Sequence, residues 1–396
     1  MAYLPLQGVR ILAVEQYGAG PFGSMQLADM GAEVIKIENP AVGGDVSRAT
    51  GPFFLGDGDS EFFQSFNRNK KSIALDLKSE QGVAVFHKLV AQCDAVMNNL
   101  RGDQPVKLGL DYASLKAVNP KIVCAHLSAY GRDNDRVDWP GYDYLMQAEA
   151  GFMALTGEPG TPPTRFGLSM VDFMTGTTTA LALVSALLGV TRQGVGCDMD
   201  VSLFDVALQQ LTYPATWYLN SNHETTRTPR SAHPATVPCQ LYTTQDGWLF
   251  AMAMTPKFWT NMLLGIGRED LADDPRFVDA NARRENRDLL TEVLDAEFAK
   301  QTTQYWLHAF KGKLPVAPVY TMAEALDNPY LQDIGMIQSV AHPHQVELKL
   351  VSSPIKINGQ RLSAVACPPL GASTEAVLRD AGMTDGEIAA ILKSED

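Results

Sequence analysis

The chain has 396 residues, 45% hydrophobic and 19% charged, the profile of a folded globular protein of two to three domains at roughly 150 residues each. Forty-five acidic residues against 32 basic ones give a net charge of −13, which argues against coating nucleic acid or docking on anionic membranes and leaves room for a local basic pocket. The opening MAYLPLQGVR lacks the charged and apolar blocks of a signal peptide, the longest apolar run (180–190) falls short of the ~20 residues of a membrane span, and five scattered cysteines without a CxxC pair suit a reducing cytoplasm.

In chain order, Val9–Val14 reads as a short apolar strand, Pro21–Met30 as a helix and Glu33–Ile37 as a second strand. Ile73–Leu77 is a strand, Gly82–Gln92 a helix, Ala95–Asn98 a strand, Leu115 part of a short helix, and Lys121–Leu127 another strand. This alternation predicts a parallel sheet covered by helices on both faces. Phe173–Val190 is a strong helix ended by Gly194 and Gly196, followed by a strand at Asp198–Leu203 and a helix at Phe204–Leu219. Asn220–Pro238 is polar and broken by three prolines, hence a linker. Leu241–Met254 reads as a hairpin turning at Gln245-Asp246-Gly247, and three amphipathic helices follow to Phe310. Val316–Thr321 is extended, Met336–Asn358 is strand-rich, and Glu375–Lys393 holds two short helices. The domains expected are 1–220, 221–325 and 326–396, the last returning to the first.

Three stretches carry candidate chemistry. Gly18-Ala-Gly20-Pro-Phe-Gly23 matches G-x-G-x-x-G after the first strand, with Glu38 ending the second; such glycines let backbone N–H groups approach a pyrophosphate. Glu15-Gln16-Tyr17 lengthens that turn, and Pro21 removes a donor where phosphate would sit, so a nicotinamide or flavin site is the weaker alternative. Asn67-Arg-Asn-Lys-Lys71 is the densest basic cluster: a solvated loop, or a phosphate clamp to which Arg101 and Lys107 would add. Asp172 precedes the strong helix, where position alone fits an N-cap; the functional reading is a carboxylate nucleophile forming a covalent acyl-enzyme, with Gly176 admitting substrate. The seven histidines lack ligand spacing beyond His342-Pro-His344, so no metal is expected. The chain has no G-x-S-x-G and no P-loop motif.

At these residues the chain resembles the family III CoA-transferases, the group of formyl-CoA and carnitine CoA-transferases. The matches run in order: Ala19-Gly-Pro21, Leu27 through Pro40, Gly44-Asp45 with Arg48, Phe66 through Lys78, Asn98-Asn-Leu100, Leu108-Gly-Leu110, Gly141-Tyr-Asp143, Thr156-Gly157, Val171-Asp172, Asp200 through Phe204, Asp246-Gly247, Trp259, and Arg284 with Asn286-Arg287. The resemblance implies a Rossmann-like large domain built from both chain ends, a smaller α+β domain between them, and two subunits interlocked as a homodimer. It implies no prosthetic group and coenzyme A as substrate, the partners being an acyl-CoA and a small carboxylic acid. Asp172 would attack the donor thioester, giving an anhydride and then an aspartyl-CoA thioester. A helix N-terminus would keep that carboxylate ionised.

Site residues carried by the resemblance and by the residues themselves are Asp172 as nucleophile; Gly18, Ala19, Asn69, Lys70, Lys71, Asn99, Leu100, Arg101 and Lys107 on CoA; and Gln16, Tyr142 and Arg165 on the acyl substrate. Gly18 stands where formyl-CoA transferases carry glutamine, Asn39 where they carry arginine, and Phe250–Thr255 where they carry a glycine-rich loop. The stretch Thr156–Ser169 is similar to members acting on succinate, mesaconate or itaconate, which would set Arg165 near a distal carboxylate; the plainer reading is a surface arginine before a core strand. The alternative within the superfamily, a 2-methylacyl-CoA racemase, carries a histidine where this chain has Tyr142; His126 is its only replacement on offer, a core histidine being the plainer reading.

Overall fold

The computed structural model describes residues 3–395. In chain order the elements begin β1 (Arg10–Val14), α1 (Ala19–Asp29), β2 (Glu33–Glu38), α2 (Glu61–Asn67), β3 (Lys70–Ala74), α3 (Glu80–Val90), β4 (Ala95–Asn98), α4 (Gln104–Lys107), α5 (Tyr112–Leu115), β5 (Val123–Ser128), α6 (Asp143–Glu149), α7 (Phe152–Leu155), α8 (Met170–Gln193), β6 (Cys197–Ser202), α9 (Leu203–Gln210) and α10 (Thr212–Ser221). They continue β7 (Cys239–Thr243), β8 (Trp248–Met252), α11 (Pro256–Ile266), α12 (Ala280–Glu285), α13 (Arg287–Phe298), α14 (Thr303–Ala309), β9 (Val316–Pro318), α15 (Met322–Leu326), α16 (Pro329–Asp333), β10 (Ile337–His342), β11 (Gln345–Val351), α17 (Thr374–Asp380) and α18 (Asp385–Glu395). They form two compact units: Met1–Ala150 with Gly167–Thr212 and Pro329–Asp396, and Gly151–Phe166 with Tyr213–Asn328.

In the first unit, six parallel strands run in the order β3-β2-β1-β4-β5-β6. Near-continuous apolar strands such as Ile11-Leu12-Ala13 and Ala95-Val96-Met97, all 0% exposed, are buried on both sheet faces. One face packs Phe86, Leu89, Val377, Leu378, Ile388 and Ile391 from α3, α17 and α18; the other packs Leu27 from α1 and Ala180 and Leu183 from α8. The strand order reverses between β1 and β4, and such sheets open a crevice there, beyond the carboxyl ends of the strands. The C-terminal segment returns to this unit: the Ala74 amide donates to Thr374 Oγ1 (2.9 Å), and the β10–β11 hairpin packs Val340, Leu348 and Leu350 on Leu55.

The helix expected over Phe173–Val190 is longer, 24 residues at Met170–Gln193. Its 18-residue core window has mean hydropathy 1.6, enough by length and composition to cross a membrane, although the longest unbroken apolar run in the sequence is shorter. Ala180 and Leu183 pack one side of it on the sheet, and a third of that window is buried. The strand expected at Ile73–Leu77 starts earlier, at Lys70, because Lys70 is an inward-facing strand residue rather than part of a loop. The single helix expected over Phe204–Leu219 divides at Thr212, whose φ of 47° leaves the helical region.

In the second unit, β7, β8 and β9 form an antiparallel sheet. The hairpin turn falls between Thr243 and Trp248, at the expected Gln245-Asp246-Gly247. Its core sets Tyr242, Leu249 and Ala251 against Trp259, Leu263, Leu290, Phe298 and Trp306 from α11, α13 and α14.

Candidate active site

A cavity of about 700 Å³ lies at the carboxyl ends of the central strands of the first unit. Gln16, Tyr17, Gly18 and Ala19 line it after β1, Asn99, Leu100 and Arg101 after β4, Leu127, Ser128 and Ala129 at the end of β5, and Trp139 through Tyr142 before α6; Asp172 from α8 completes it. Eight of the expected site residues thus meet in one place: Gln16, Gly18, Ala19, Asn99, Leu100, Arg101, Tyr142 and Asp172.

The loop after β1 is fixed from two sides. Gln16 N donates to Asn99 Oδ1 (2.9 Å), and Asn99 Nδ2 returns a bond to the Gln16 carbonyl (2.8 Å). Tyr17 adopts φ 68°, an unfavourable backbone for a side chain of this size, and its N–H donates to Asp45 Oδ1 (3.0 Å). Asp45 is itself held by the buried Lys36 ammonium at 2.7 Å.

Asp172 is the third residue of α8, not its cap; Ser169 precedes the helix. Its backbone N–H donates to Asp143 Oδ2 (3.1 Å), so the α6 carboxylate takes one of the donors that a helix start leaves unpaired. The Asp172 side chain points at the neighbouring loop: a Cβ added to Gly18 would lie 3.3 Å from Asp172 Oδ2. Asp172 is only 8% exposed. Burial, then the Asp143 charge, push its carboxyl up to about 7. The expectation that the helix N-terminus keeps it ionised is therefore corrected: desolvation and a like charge outweigh the dipole, and it titrates near neutrality.

The G-x-G-x-x-G glycines do a different job from the one their pattern suggests. A Cβ on Gly18 would press on Asp172, on Gly20 it would meet Asn99 Cβ at 2.8 Å, and on Gly23 it would meet the Gly176 carbonyl at 2.5 Å. They let α1, α8 and the β4 loop come close. Gly176 likewise admits α1, since a Cβ there would strike the Ala19 carbonyl; it does not make room for substrate.

Five expected site residues lie apart from the cavity lining. Lys70 is buried, its Nζ donating to Glu15 Oε1 (2.8 Å), the Pro21 carbonyl (2.9 Å) and Asn67 Oδ1 (2.9 Å). That ammonium props the α1 loop from behind and has no charge to spare for an anion. Asn69 Nδ2 donates to Asp29 Oδ1 (2.8 Å), and Lys71 pairs with Glu33. Lys107 pairs with Asp103, as Arg101 does at 2.5 Å. Arg165 belongs to the second unit, its Nη1 donating to the Phe166 carbonyl (3.0 Å).

His126 is 1% exposed, its Nδ1 2.8 Å from Asn98 Nδ2 and its Nε2 2.8 Å from Asp198 Oδ1. Asp198 can only accept, so Nε2 carries the proton and Nδ1 accepts from Asn98. Both ring nitrogens are engaged inside the sheet, which leaves no acid–base partner for a racemase there. Among the described residues, no group of three or more His, Cys, Asp or Glu side chains could hold a metal ion. Sequence reasoning passed over Trp139 and Ser128; the signal available was their position, Ser128 at the carboxyl end of a parallel strand and Trp139 in the loop that leaves it.

A buried carboxylate facing a backbone turn, beneath a cavity with an exposed guanidinium and aromatic rings, suits acyl transfer through an activated aspartyl group. The family model for CoA-transferase family III matches residues 6–374. The chain is 34% identical over 340 residues to a succinate–glutarate CoA-transferase of Agrobacterium fabrum, covering 84% of each. It is 31% identical to a succinyl-CoA:mesaconate CoA-transferase of Haloarcula hispanica, covering 96% of this chain and 97% of that one. A crystal structure of a CAIB/BAIF family protein from Brucella suis matches with TM-score 0.82 and 31% identity, over 96% of this chain and 100% of the other.

Proposed function

Because the chain belongs to CoA-transferase family III, we propose that it moves CoA from an acyl-CoA, succinyl-CoA foremost, to a second short dicarboxylate through Asp172. The observation that carries this is the buried Asp172 carboxylate set against Gly18 in the cavity. The relatives named for succinate, glutarate and mesaconate support the substrate class.

One Asp172 oxygen attacks the thioester carbonyl, the C–S bond breaks, and CoA leaves as thiolate. The thiolate then attacks the Asp172 carbonyl carbon of the anhydride, expelling the donor acid as its carboxylate. The acceptor carboxylate attacks the resulting aspartyl-CoA thioester, and the released thiolate takes the new acyl group, restoring the Asp172 carboxylate. No net proton is exchanged. Backbone amides at the start of α1, where Ala19 lines the cavity, would meet the developing oxyanion. Each anhydride needs exclusion of water, which the proposed interlocked homodimer, in the cytoplasm, would provide.

The test is the intact-protein mass after incubation with succinyl-CoA and a panel of dicarboxylates. A CoA adduct mapped to Asp172 is expected; an adduct elsewhere, or transfer without one, sinks the mechanism.

Attack requires the ionised carboxylate, so kcat/KM is expected to rise with pH through about 7. Asp143→Asn removes the second of the two causes that raise this pKa. The acid limb should move to lower pH, giving the variant more of its own maximal rate below pH 6, with a lower plateau above pH 8. An unmoved limb in the kcat/KM profile would show that Asp143 does not tune Asp172.

Arg165 is proposed to meet the distal carboxylate of the acceptor. Arg165→Ala should raise KM for a dicarboxylate roughly tenfold and leave that for a monocarboxylate of equal length unchanged. Equal KM values for the dicarboxylate in both proteins would remove the role.

A further inference from the structure

We propose that Trp139 is the platform on which the adenine of bound CoA stacks, with Arg101 beside it taking a phosphate. The inference rests on the CoA-transferase reading and assigns one end of the cavity.

Trp139 lines the cavity yet is 48% exposed. Its ring is braced from elsewhere. The Arg136 guanidinium lies 4.7 Å from its centroid and 5.2 Å from that of Tyr130, and Tyr130 stands edge-on to the indole at 5.9 Å and 85°. Glu149 fixes both supports, pairing with Arg136 and accepting from the Tyr130 hydroxyl (2.8 Å). An indole held this firmly while half its surface stays open is preorganised, so a stacking partner need not immobilise it.

The neighbours say what that partner is. The chain beside Trp139 adjoins the loop after β4: a Cβ on Gly102 would lie 2.9 Å from the Val137 carbonyl, and Asp138 is close enough to act on the Arg101 charge. Arg101 holds Asp103 through Nε and Nη2 while its side chain stays 44% exposed, and Lys107 pairs with the same carboxylate, so two cationic groups reach solvent at this corner. An open aromatic face beside an exposed guanidinium is the chemistry that binds a purine and its phosphate. The pantetheine arm, an uncharged amide chain, offers neither a ring nor an anion. Asp172 and Gly18 mark the thioester end of the same cavity.

The test compares succinyl-CoA with succinyl-pantetheine, which lacks the nucleotide, in full-length wild type, Trp139→Ala and Trp139→Phe. Stacking on an aromatic ring is worth roughly 5- to 150-fold in affinity. Trp139→Ala should therefore raise KM for succinyl-CoA about tenfold or more, leave kcat little changed, and leave KM for succinyl-pantetheine as in wild type. Trp139→Phe should keep most of the affinity. Equal losses on both substrates, or none on either, would overturn the assignment. Binding is read independently of turnover from tryptophan fluorescence. Free CoA should quench wild type more than Trp139→Phe, and equal quenching refutes the stack even if Trp139→Ala fails to fold. Wild type that binds CoA but transfers nothing would count against the reaction, not against this site.

Discussion

Asp172→Asn is expected to lower CoA transfer by roughly 10⁴-fold or more and at the same time to raise the melting temperature above that of wild type at pH 8. The two effects share one origin. Asparagine keeps the shape of the side chain but cannot form the anhydride, so the covalent route closes. The native carboxylate is 8% exposed and within reach of the Asp143 charge, so its charge is costly in the folded state. With a folded pKa raised from 3.8 to about 7, the native state holds this proton more tightly than the unfolded chain does. The stability contributed by that proton is complete below about pH 3.8 and is lost as pH rises through about 7. Near pH 8 the accumulated loss is about 2–4 kcal/mol, and a neutral amide avoids it. Thermal melts of both proteins at fixed concentration from pH 4 to 8 should show curves that nearly coincide at acid pH and separate towards alkaline pH. A constant gap across that range would mean that Asp172 is not charged at cost; retained turnover would mean that it is not the nucleophile.

Much of the first unit was legible from local pattern. Apolar runs such as Ile11-Leu12-Ala13 name buried parallel strands without help from the rest of the chain, and the crevice follows from strand order. Asp172 was legible as a residue because it stands at a helix start, but its ionisation was not. The dipole can be read from the sequence, whereas Asp143 arrives from α6 and the burial from the surrounding fold. Lys70 misled for the same reason. A lysine beside another lysine reads as solvated, yet Glu15 and the Pro21 carbonyl, brought from a distant strand end and helix start, bury it. Trp139 carried no periodic signal, being an aromatic in a proline-marked loop, and only the cavity gives it meaning.

Gly176→Ala should cost about 2–3 kcal/mol of stability and roughly 100-fold in kcat/KM, whereas Gly189→Ala on the same helix should stabilise the protein by about 0.5–1 kcal/mol. Both glycines lie inside α8, so helix propensity alone predicts the same gain for both. The surroundings differ. Nothing lies within 4 Å of a Cβ placed on Gly189, while one on Gly176 would run into the Ala19 carbonyl and come within 3.0 Å of Gly23 N, backbone atoms that cannot swing aside. The methyl group can be accommodated only if α1 and α8 separate. Ala19 sits at the cavity and Asp172 one helical turn before Gly176, so separation moves the start of α1 away from the Asp172 carboxylate. Gly23→Ala should repeat the loss from the opposite helix, where the added Cβ would lie 2.5 Å from the Gly176 carbonyl. Denaturant melts and kcat/KM for the three variants decide the matter. If Gly176→Ala and Gly189→Ala behaved alike, close contact between the two helices would not be what aligns nucleophile and donors, and the glycine motif after β1 would need another explanation.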